Sequence, residues 1–232
     1  MISLPAEALE SAVARVFPEV QAHHVPLGRS TSEELLWREL VACILGSQVR
    51  YESCLTALRH LGSHGLLNVP LSIKSPFLLE RLIEQGLKYC SCKVSPPCPQ
   101  YRFPRLRANH LRRTIENIYL QGNTLRRVLA SADSEIQARD LLTAYAVGLG
   151  PKQASLFLRN TGFADNLAIL DRHVLNYMAI LGLLRKPISH IRSVAEYEEV
   201  EARLQDYALT FSISVGVLDT AIWVVMRVAS EY

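Results

Sequence analysis

Long apolar runs are scarce in this sequence. Five cysteines among 232 residues are an odd number, and no basic, apolar leader opens the chain. We therefore expect an intracellular protein without structural disulfides, in the cytoplasm or nucleoid or, in a eukaryote, the nucleus. The longest apolar stretches, such as 215–228, are interrupted by Asp219 and Arg227 and fall short of the length that spans a bilayer. No membrane partner is expected.

Strand-like alternation is nearly absent as well. Apolar residues instead recur at helical spacing along most of the chain, which predicts an all-α fold. Glycines predict several helix ends, with Gly46 and Gly62 after two early helices and Gly86 after a third. The cysteine- and proline-rich segment 88–104 cannot continue a helix, so we expect a loop or an insertion there.

The chain also lacks a strong excess of one charge. A formal net charge of +3 is too small to identify a polyanionic partner. The basic side chains are nevertheless unevenly distributed, and a run of them falls within 102–113: Arg102, Arg105, Arg107, His110, Arg112 and Arg113. This basic segment fits contact with a nucleic acid, and it also fits an ordinary solvated helix face.

The segment 141–162 predicts two helices joined by a tight hairpin, Gly148-Leu149-Gly150. The two glycines let the backbone turn and let another molecule approach closely. Because Pro151 predicts the start of the second helix, free N–H groups and the positive end of the helix dipole would meet at the hairpin, where a phosphate oxygen can bind. A plain helix–helix turn fits the same residues, so the hairpin by itself leaves both interpretations open.

Lys152 and Asp171 are the residues around the hairpin that could carry chemistry. Lys152 lies in the first turn of the second helix, where the dipole disfavours a cation and so favours the neutral amine that a Schiff-base lysine needs. An exposed lysine that contacts phosphate is the alternative. Asp171 follows the apolar run 167–170, and its carboxylate could orient the amine, accept its proton or stabilise positive charge on a sugar. It also fits an ordinary helix N-cap.

The runs 148–162 and 167–175 resemble the compact 8-oxoguanine DNA glycosylase/lyases of the helix-hairpin-helix superfamily. The residues that carry the resemblance are Gly148-Leu149-Gly150-Pro151-Lys152 and Leu170-Asp171-Arg172-His173. It implies a two-lobed helical fold with the active site in the cleft between the lobes, and Lys152 and Asp171 at the two catalytic positions. It further implies a monomer that acts on double-stranded DNA containing a damaged base.

The resemblance extends more weakly over the rest of the chain. The helix 36–48 is similar to a superfamily helix that ends in the residue filling the gap left by a flipped base, and the stretch 101–108 resembles one beside the base pocket. Positions 219 and 223 match a C-terminal Asp-x-x-x-Trp element whose ring can stack on a base. The DNA-binding residues expected on these grounds are Gln48, Gly148, Gly150, Arg105, Arg107 and His173, and the base-pocket residues are Phe103, Asp219 and Trp223. His173 also fits a satisfied interfacial position.

The lobes implied by this resemblance have provisional boundaries. One lobe is expected at about 30–131 and a second at about 132–190, which carries the hairpin motif 141–162. The N-terminal segment 1–29 and the helices in 191–232 are expected to pack on the second lobe.

Three features depart from the family pattern. The loop before Asp171 is one residue longer than expected, with Asp165 or Asn166 as the extra residue. The segment 88–104 looks inserted, and the sequence ends at Tyr232 without the basic tail that the compact family uses to recognise 8-oxoguanine.

The remaining cysteines do not predict a cofactor. Cys90, Cys92 and Cys98 are close in sequence but lack both a zinc-site spacing and a fourth ligand. Four cysteines near the C-terminus, which hold an iron–sulfur cluster in some relatives, are also missing. We expect neither a metal nor another cofactor.

The sequence thus predicts a base-excision-repair enzyme that flips an oxidised purine, 8-oxoguanine in the first instance, out of duplex DNA. Lys152 would form a Schiff base that permits β-elimination. A glycosylase for another lesion, or a lyase for abasic sites alone, is the nearest alternative. A non-catalytic helix-hairpin-helix module is an alternative of another class, and it would bind DNA in a salt-sensitive way without cutting it. A helical interaction protein has only amphipathic helices in its favour.

Overall fold

The structure is a computed structural model that describes residues 5–23, 31–68, 75–90 and 100–229, and within these ranges it contains helices and no strand. This confirms the predicted all-α class. The helices of the described residues are α1 (Ala6–His23), α2 (Glu33–Gly46), α3 (Tyr51–Ser63), α4 (Pro76–Tyr89), α5 (Pro104–Ile118), α6 (Leu125–Ala130), α7 (Glu135–Tyr145), α8 (Pro151–Asn160), α9 (Arg172–Ile180), α10 (Val194–Thr210) and α11 (Val215–Ala229).

The chain divides into two compact units at a boundary that differs from the predicted one. Residues 29–161 form one, here called the hairpin unit, and residues 1–28 with 162–232 form the other, the terminal unit. This division falls after residue 161 and not near 131, because α7 and α8, which flank the glycine hairpin, contact α2, α5 and α6. The hairpin therefore belongs to the same unit as Gln48.

Helix α2 lies at the centre of the hairpin unit and contacts α3, α5, α6 and α8. Its buried face includes Trp37, whose ring meets Tyr119 edge-on at 5.5 Å between centroids. Its first residue, Glu33, accepts hydrogen bonds from the Leu125 and Arg126 amides at 2.8 and 3.1 Å. The start of α6 is therefore tied to the start of α2 by a carboxylate that satisfies free helix amides.

Gly86 does not end the third predicted helix, as its position in the sequence suggested. Helix α4 continues past it to Tyr89. A Cβ at position 86 would lie 2.7 Å from Cδ2 of Leu61 on α3. Glycine is needed there because α3 and α4 approach each other closely, and the helix tolerates the residue at a modest cost.

In the terminal unit, α11 contacts α1, α9 and α10. The core of the terminal unit is built from apolar side chains of α1, α9, α10 and α11, among them Leu9, Val13, Leu204 and Ile222. Among the described residues, no single helix is long and apolar enough to cross a membrane, and α10 with α11 meets that criterion only as a pair bent by 94°.

Candidate functional site

The glycine hairpin is a short backbone turn between two well-formed helices. Helix α7 ends at Tyr145, and the amide of Leu149 donates to Ala146 O at 3.2 Å. Gly148 has a φ of 82°, in the left-handed region that glycine adopts readily. Helix α8 then begins at Pro151 as predicted, and its N-cap residue, Gly150, offers no side chain to its free amides. Those amides are left for solvent or a ligand.

Helix α5 holds the hairpin with a stripe of polar side chains, here called the polar stripe. It consists of Arg107, His110, Thr114 and Asn117, which lie on one face at helical spacing. Asn117 Nδ2 donates to Tyr145 O at 3.0 Å, and Thr114 Oγ1 accepts from the Val147 amide at 2.9 Å. The end of α7 and the first residues of the hairpin are thus fixed from α5.

The fold constrains the two hairpin glycines differently. A Cβ on Gly148 would overlap the imidazole ring of His110, and its positive φ adds to that restriction. Gly150 has an ordinary extended conformation, with φ −95°, and a Cβ there would meet no atom of the described residues within 4 Å. The fold therefore requires glycine at 148, whereas at 150 it leaves an open space in front of the backbone.

Gln48 lies in the turn between α2 and α3 and has an exposed side chain. Its φ of 59° is unusual for a residue other than glycine. The carbonyl of the preceding Ser47 accepts a 2.6 Å hydrogen bond from Nη2 of Arg107. The turn is therefore anchored to α5, the same helix that holds the hairpin.

Arg107 is not placed as an exposed DNA ligand would be. Its side chain is buried, with the residue 4% exposed, and its guanidinium is directed to Ser47 O and to His110. Burial leaves no surface for a phosphate contact in this conformation, so the expected role needs revision toward support of the Gln48 turn. Arg105, two residues earlier on the same helix, is exposed.

Phe103 immediately precedes α5, and its ring lies beneath two guanidinium groups. The Cζ atoms of Arg102 and Arg107 are 4.8 and 5.8 Å from the ring centroid. Arg112, farther along the basic segment, is instead bound to Glu80 and Glu116 at 2.7 and 2.5 Å. The positive charge of this segment is thus partly compensated at its C-terminal end.

Lys152 lies in the first turn of α8 and is partly buried. Helix α8 packs on α2, where the nearby thiol of Cys43 is buried. Burial and the adjacent Glu39 raise the pKa of Cys43 well above its ordinary value of 9.0, and the positive charge of Lys152 opposes that rise. At neutral pH the lysine therefore has a protonated, uncharged thiol for a neighbour.

Glu39 lies at the other end of this contact between α2 and α8. It accepts a 2.7 Å hydrogen bond from Asn160 Nδ2 near the end of α8, and Cys43 Sγ lies 3.8 Å from the same oxygen. The hydrogen bond from Asn160 thus ties the C-terminal end of α8 to α2.

In the terminal unit, Asp171 is the N-cap of α9. Its Oδ1 accepts from the Val174 amide at 2.9 Å, which confirms the capping interpretation. Within the described residues, Oδ2 has no hydrogen-bond partner. One carboxylate can therefore cap the helix and keep a free oxygen for another group.

The main chain leading to Asp171 is held by side chains from α10 and α11. The amides of Ala168 and Ile169 donate to Glu201 Oε1 and Asp219 Oδ2 at 2.8 and 2.7 Å. Tyr197 Oη donates to Ala168 O at 2.6 Å. We call these three side chains the carboxylate cradle, because two of them are buried carboxylates that bind backbone amides.

The sequence reasoning missed Tyr197 and Glu201 and gave Asp219 a different role. Asp219 is 2% exposed, and its carboxylate binds a backbone amide of this unit, which does not fit a direct contact with a base. The available signal for Glu201 was a glutamate four residues after Tyr197 on the apolar face of a helix. A buried charge of this kind requires a partner.

Trp223 and His173 are accessible residues of the terminal unit. Trp223 is 39% exposed, one helical turn after Asp219, and Arg227 Cζ lies 5.0 Å from its ring centroid. His173 lies in the first turn of α9 and is partly buried. Asp165 and Asn166, in the loop expected to carry an extra residue, are exposed, and the length of that loop relative to the family stays a prediction.

The structure describes one of the three cysteines in the segment 88–104, Cys90. Cys92 and Cys98 lie outside the described residues. Cys90 is buried and its thiol donates to Leu87 O at 3.3 Å. In the described part of the chain, no three histidine, cysteine, aspartate or glutamate side chains cluster in a way that could hold a metal.

Comparisons with known proteins agree on one family. A family model described as 8-oxoguanine DNA glycosylase, of the Ogg helix-hairpin-helix type, matches residues 19–213. The 8-oxoguanine DNA glycosylase/AP lyase of Saccharolobus islandicus is 34% identical over 212 residues, which cover 90% of each chain. That of Metallosphaera sedula is 35% identical over 211 residues, again 90% of each.

Solved structures give the same result. The crystal structure of the 8-oxoguanine DNA glycosylase of Thermotoga maritima superposes with a TM-score of 0.70 at 29% identity, covering 94% of this chain and 93% of that one. The 8-oxoguanine glycosylase/lyase of Methanocaldococcus jannaschii, solved with a 15mer DNA containing 8-oxoguanine, gives a TM-score of 0.64 at 24% identity, covering 94% and 88%. The second likeness is one of fold.

The carboxylate cradle makes a testable prediction about Asp219. Asp219→Ala leaves the Ile169 amide without its acceptor, so we expect the free energy of unfolding to fall by about 1–3 kcal/mol. Urea denaturation measures the loss, with Asp206→Ala, which removes an exposed carboxylate from α10, as the control. Equal stabilities of the two variants would contradict the structural role of Asp219.

Proposed function

Because the chain belongs to the 8-oxoguanine DNA glycosylase family, we propose that it is a bifunctional DNA glycosylase/AP lyase that removes 8-oxoguanine from duplex DNA. The observation that carries the proposal is Lys152 in the first turn of α8, directly after a hairpin whose geometry α5 enforces. One chain supplies all the groups that the reaction uses, so a monomer suffices. Its place would be with the DNA, in the cytoplasm or nucleoid.

The hairpin would bind the DNA backbone. The uncapped amides at the start of α8 are donors for a phosphate oxygen, and the helix dipole favours an anion there. The open space in front of Gly150 lets a phosphate approach the main chain. Arg105 from α5 and His173 from α9 are the side chains we assign to further backbone contacts, which position the DNA without reading its sequence.

Gln48 would fill the gap that the flipped base leaves in the duplex. Its side chain is exposed on a turn whose backbone is held in an unusual conformation, and such conformations cluster at active sites and ligand-binding positions. Flipping costs a few kcal/mol for unstacking, and less at a damaged pair. Phe103 and Trp223 are the aromatic rings we assign to the damaged base, since an extruded base stacks on such rings.

Lys152 would then act as the nucleophile. Its neutral amine attacks C1′ of the damaged nucleotide, the bond from C1′ to the base nitrogen breaks, and the base leaves with the bonding electron pair and a proton. Loss of the amine proton and opening of the sugar ring give a C1′=N Schiff base. Removal of a proton from C2′ then expels the 3′ phosphate by β-elimination.

Asp171 would assist both stages with its free oxygen. The carboxylate can take the proton from the attacking amine and can stabilise positive charge on the sugar as the base departs. Its other oxygen stays on the Val174 amide, so the group is held in place throughout. Asp219 contributes indirectly, through the main chain that leads to Asp171.

Replacement of the lysine tests the proposal directly. Lys152→Gln keeps a polar side chain but has no nucleophilic amine, so we expect no borohydride-trapped complex with a duplex containing 8-oxoguanine and no strand scission. Lys186→Gln, which changes an exposed lysine of the terminal unit, should behave as the wild type. A crosslink that persists in Lys152→Gln would contradict the assignment of Lys152 as the nucleophile.

The charge of Asp171 can be separated from its capping role. Asparagine caps helices about as well as aspartate, so Asp171→Asn should change the free energy of unfolding by less than about 0.5 kcal/mol. The loss of a proton acceptor should nevertheless slow base excision by roughly 100-fold or more. Single-turnover kinetics and urea denaturation on the same sample measure both effects. Unchanged kinetics would show that the residue is only a cap.

Gly150 tests the phosphate site. Gly150→Ser suits the extended backbone and supplies a good N-cap, so the protein should be at least as stable. The new hydroxyl would occupy the open space and take an amide that we assign to phosphate, so DNA binding at a fixed salt concentration should weaken to a similar extent for different sequences. Equal DNA affinity of wild type and Gly150→Ser would argue against the site.

A further inference from the structure

One pair of side chains on α5 contacts both segments of the hairpin unit that we assign to DNA. Arg107 donates from Nη2 to Ser47 O at 2.6 Å, directly before Gln48, and from Nη1 to Nδ1 of His110 at 3.3 Å. The His110 ring lies against Gly148, so close that a Cβ on this glycine would overlap it. The pair therefore joins the Gln48 turn to the glycine hairpin.

We propose that Arg107 and His110 are positioning residues of the glycosylase reaction, which hold the Gln48 turn and the hairpin in a fixed relation as long as the imidazole is neutral. The effect on catalysis rests on the proposed function. The link consists of the hydrogen bond between Arg107 and His110 together with their contacts to Ser47 O and Gly148. It is a property of the fold and can be tested without DNA.

The chemistry of the two groups sets the protonation state. Arginine has only donors, so Nδ1 of His110 must accept the hydrogen bond from Arg107. The ring proton is then on Nε2. A second proton on Nδ1 would turn an N–H toward the guanidinium and place two cations side by side. Protonation of His110 therefore breaks the link, whereas the bond from Arg107 to Ser47 can survive it.

The Gln48 turn is the segment that needs restraint. Gln48 has a φ of 59°, and in a residue other than glycine such a conformation persists when the surrounding structure over-determines it. Arg107 is itself buried, and its Nε has no hydrogen-bond partner within the described residues. A buried guanidinium that makes few bonds is expensive to disturb, so its two contacts form a stiff connection.

The link should be lost on the acid side of neutrality. Burial, and then the charges of Arg107 and Arg113, lower the pKa of His110 below its ordinary value of 6.5. No other titratable side chain comes from the two segments that the pair joins, which are the hairpin segment 146–150 and the turn at Ser47 and Gln48. Because the folded pKa lies below the unfolded one, the link and its stabilisation are complete above pH 6.5 and are lost as the pH falls through the folded value.

Amide resonances of the free protein test the link. On titration from about pH 8 to about pH 5, the Gly148 and Gln48 amides should shift with the midpoint of the His110 ring. In Arg107→Met, the Gly148 amide should still follow the ring and the Gln48 amide should not. A Gln48 amide that ignores the His110 titration in the wild type, or that follows it unchanged in Arg107→Met, would overturn the proposal.

Kinetics test the consequence for catalysis. His110→Leu should slow single-turnover excision of 8-oxoguanine by about 10- to 100-fold at neutral pH, as expected when groups are slightly misplaced. His110→Asn should stay within a few-fold of the wild type, because its side-chain oxygen can accept the bond near the Nδ1 position. Its rate relative to the wild type should also rise as the pH falls, since it cannot be protonated.

His23→Leu removes an exposed histidine of α1 and should have no effect. Equal rates for His110→Leu and His23→Leu would overturn the positioning role. A wild type that excises no lesion would instead refute the proposed function, and the amide titration would then decide whether the link exists.

Discussion

The backbone of the glycine hairpin lies directly against helix α5, and this contact constrains much of the hairpin unit. Thr114 binds the Val147 amide, and His110 occupies the place that a side chain at Gly148 would need. Because α8 begins immediately after the hairpin, the same contact determines where the free amides of that helix and the Lys152 side chain begin. Fixing a few backbone atoms on a packed helix thus fixes a nucleophile more precisely than a loop alone could.

The terminal unit solves a similar problem with buried carboxylates. Glu201 and Asp219 bind consecutive backbone amides just before Asp171, and Tyr197 binds a carbonyl in the same stretch. An extended segment has few local hydrogen bonds, so its polar groups need partners from elsewhere when they are buried. The result is a rigid approach to a helix cap whose second oxygen has no hydrogen-bond partner in the part of the chain that the structure describes. In both units, the residue assigned to chemistry depends on side chains that do not react.

Local features of the fold were predictable from the sequence, and tertiary ones were not. The start of α8 at Pro151 and the cap at Asp171 follow from local backbone chemistry, and both are confirmed. Gly86 was misread because glycine is needed there for the close approach of a neighbouring helix, and the contacts that place α7 and α8 in one unit with Gln48 are not local either. Arg107 appeared to belong to a basic surface, whereas its burial depends on a carbonyl that lies 60 positions away. Periodicity reports which face is apolar, but not which polar group is buried there.

In the proposed mechanism, the Lys152 amine forms the covalent bond to the sugar. The chain holds four other lysines, at positions 74, 88, 93 and 186, so the claim can be tested at the level of one atom. Mass spectrometry of peptides from the borohydride-reduced complex with an 8-oxoguanine duplex should place the adduct on Lys152. An adduct on any other lysine or on the amino terminus, with Lys152 unmodified, would contradict the account.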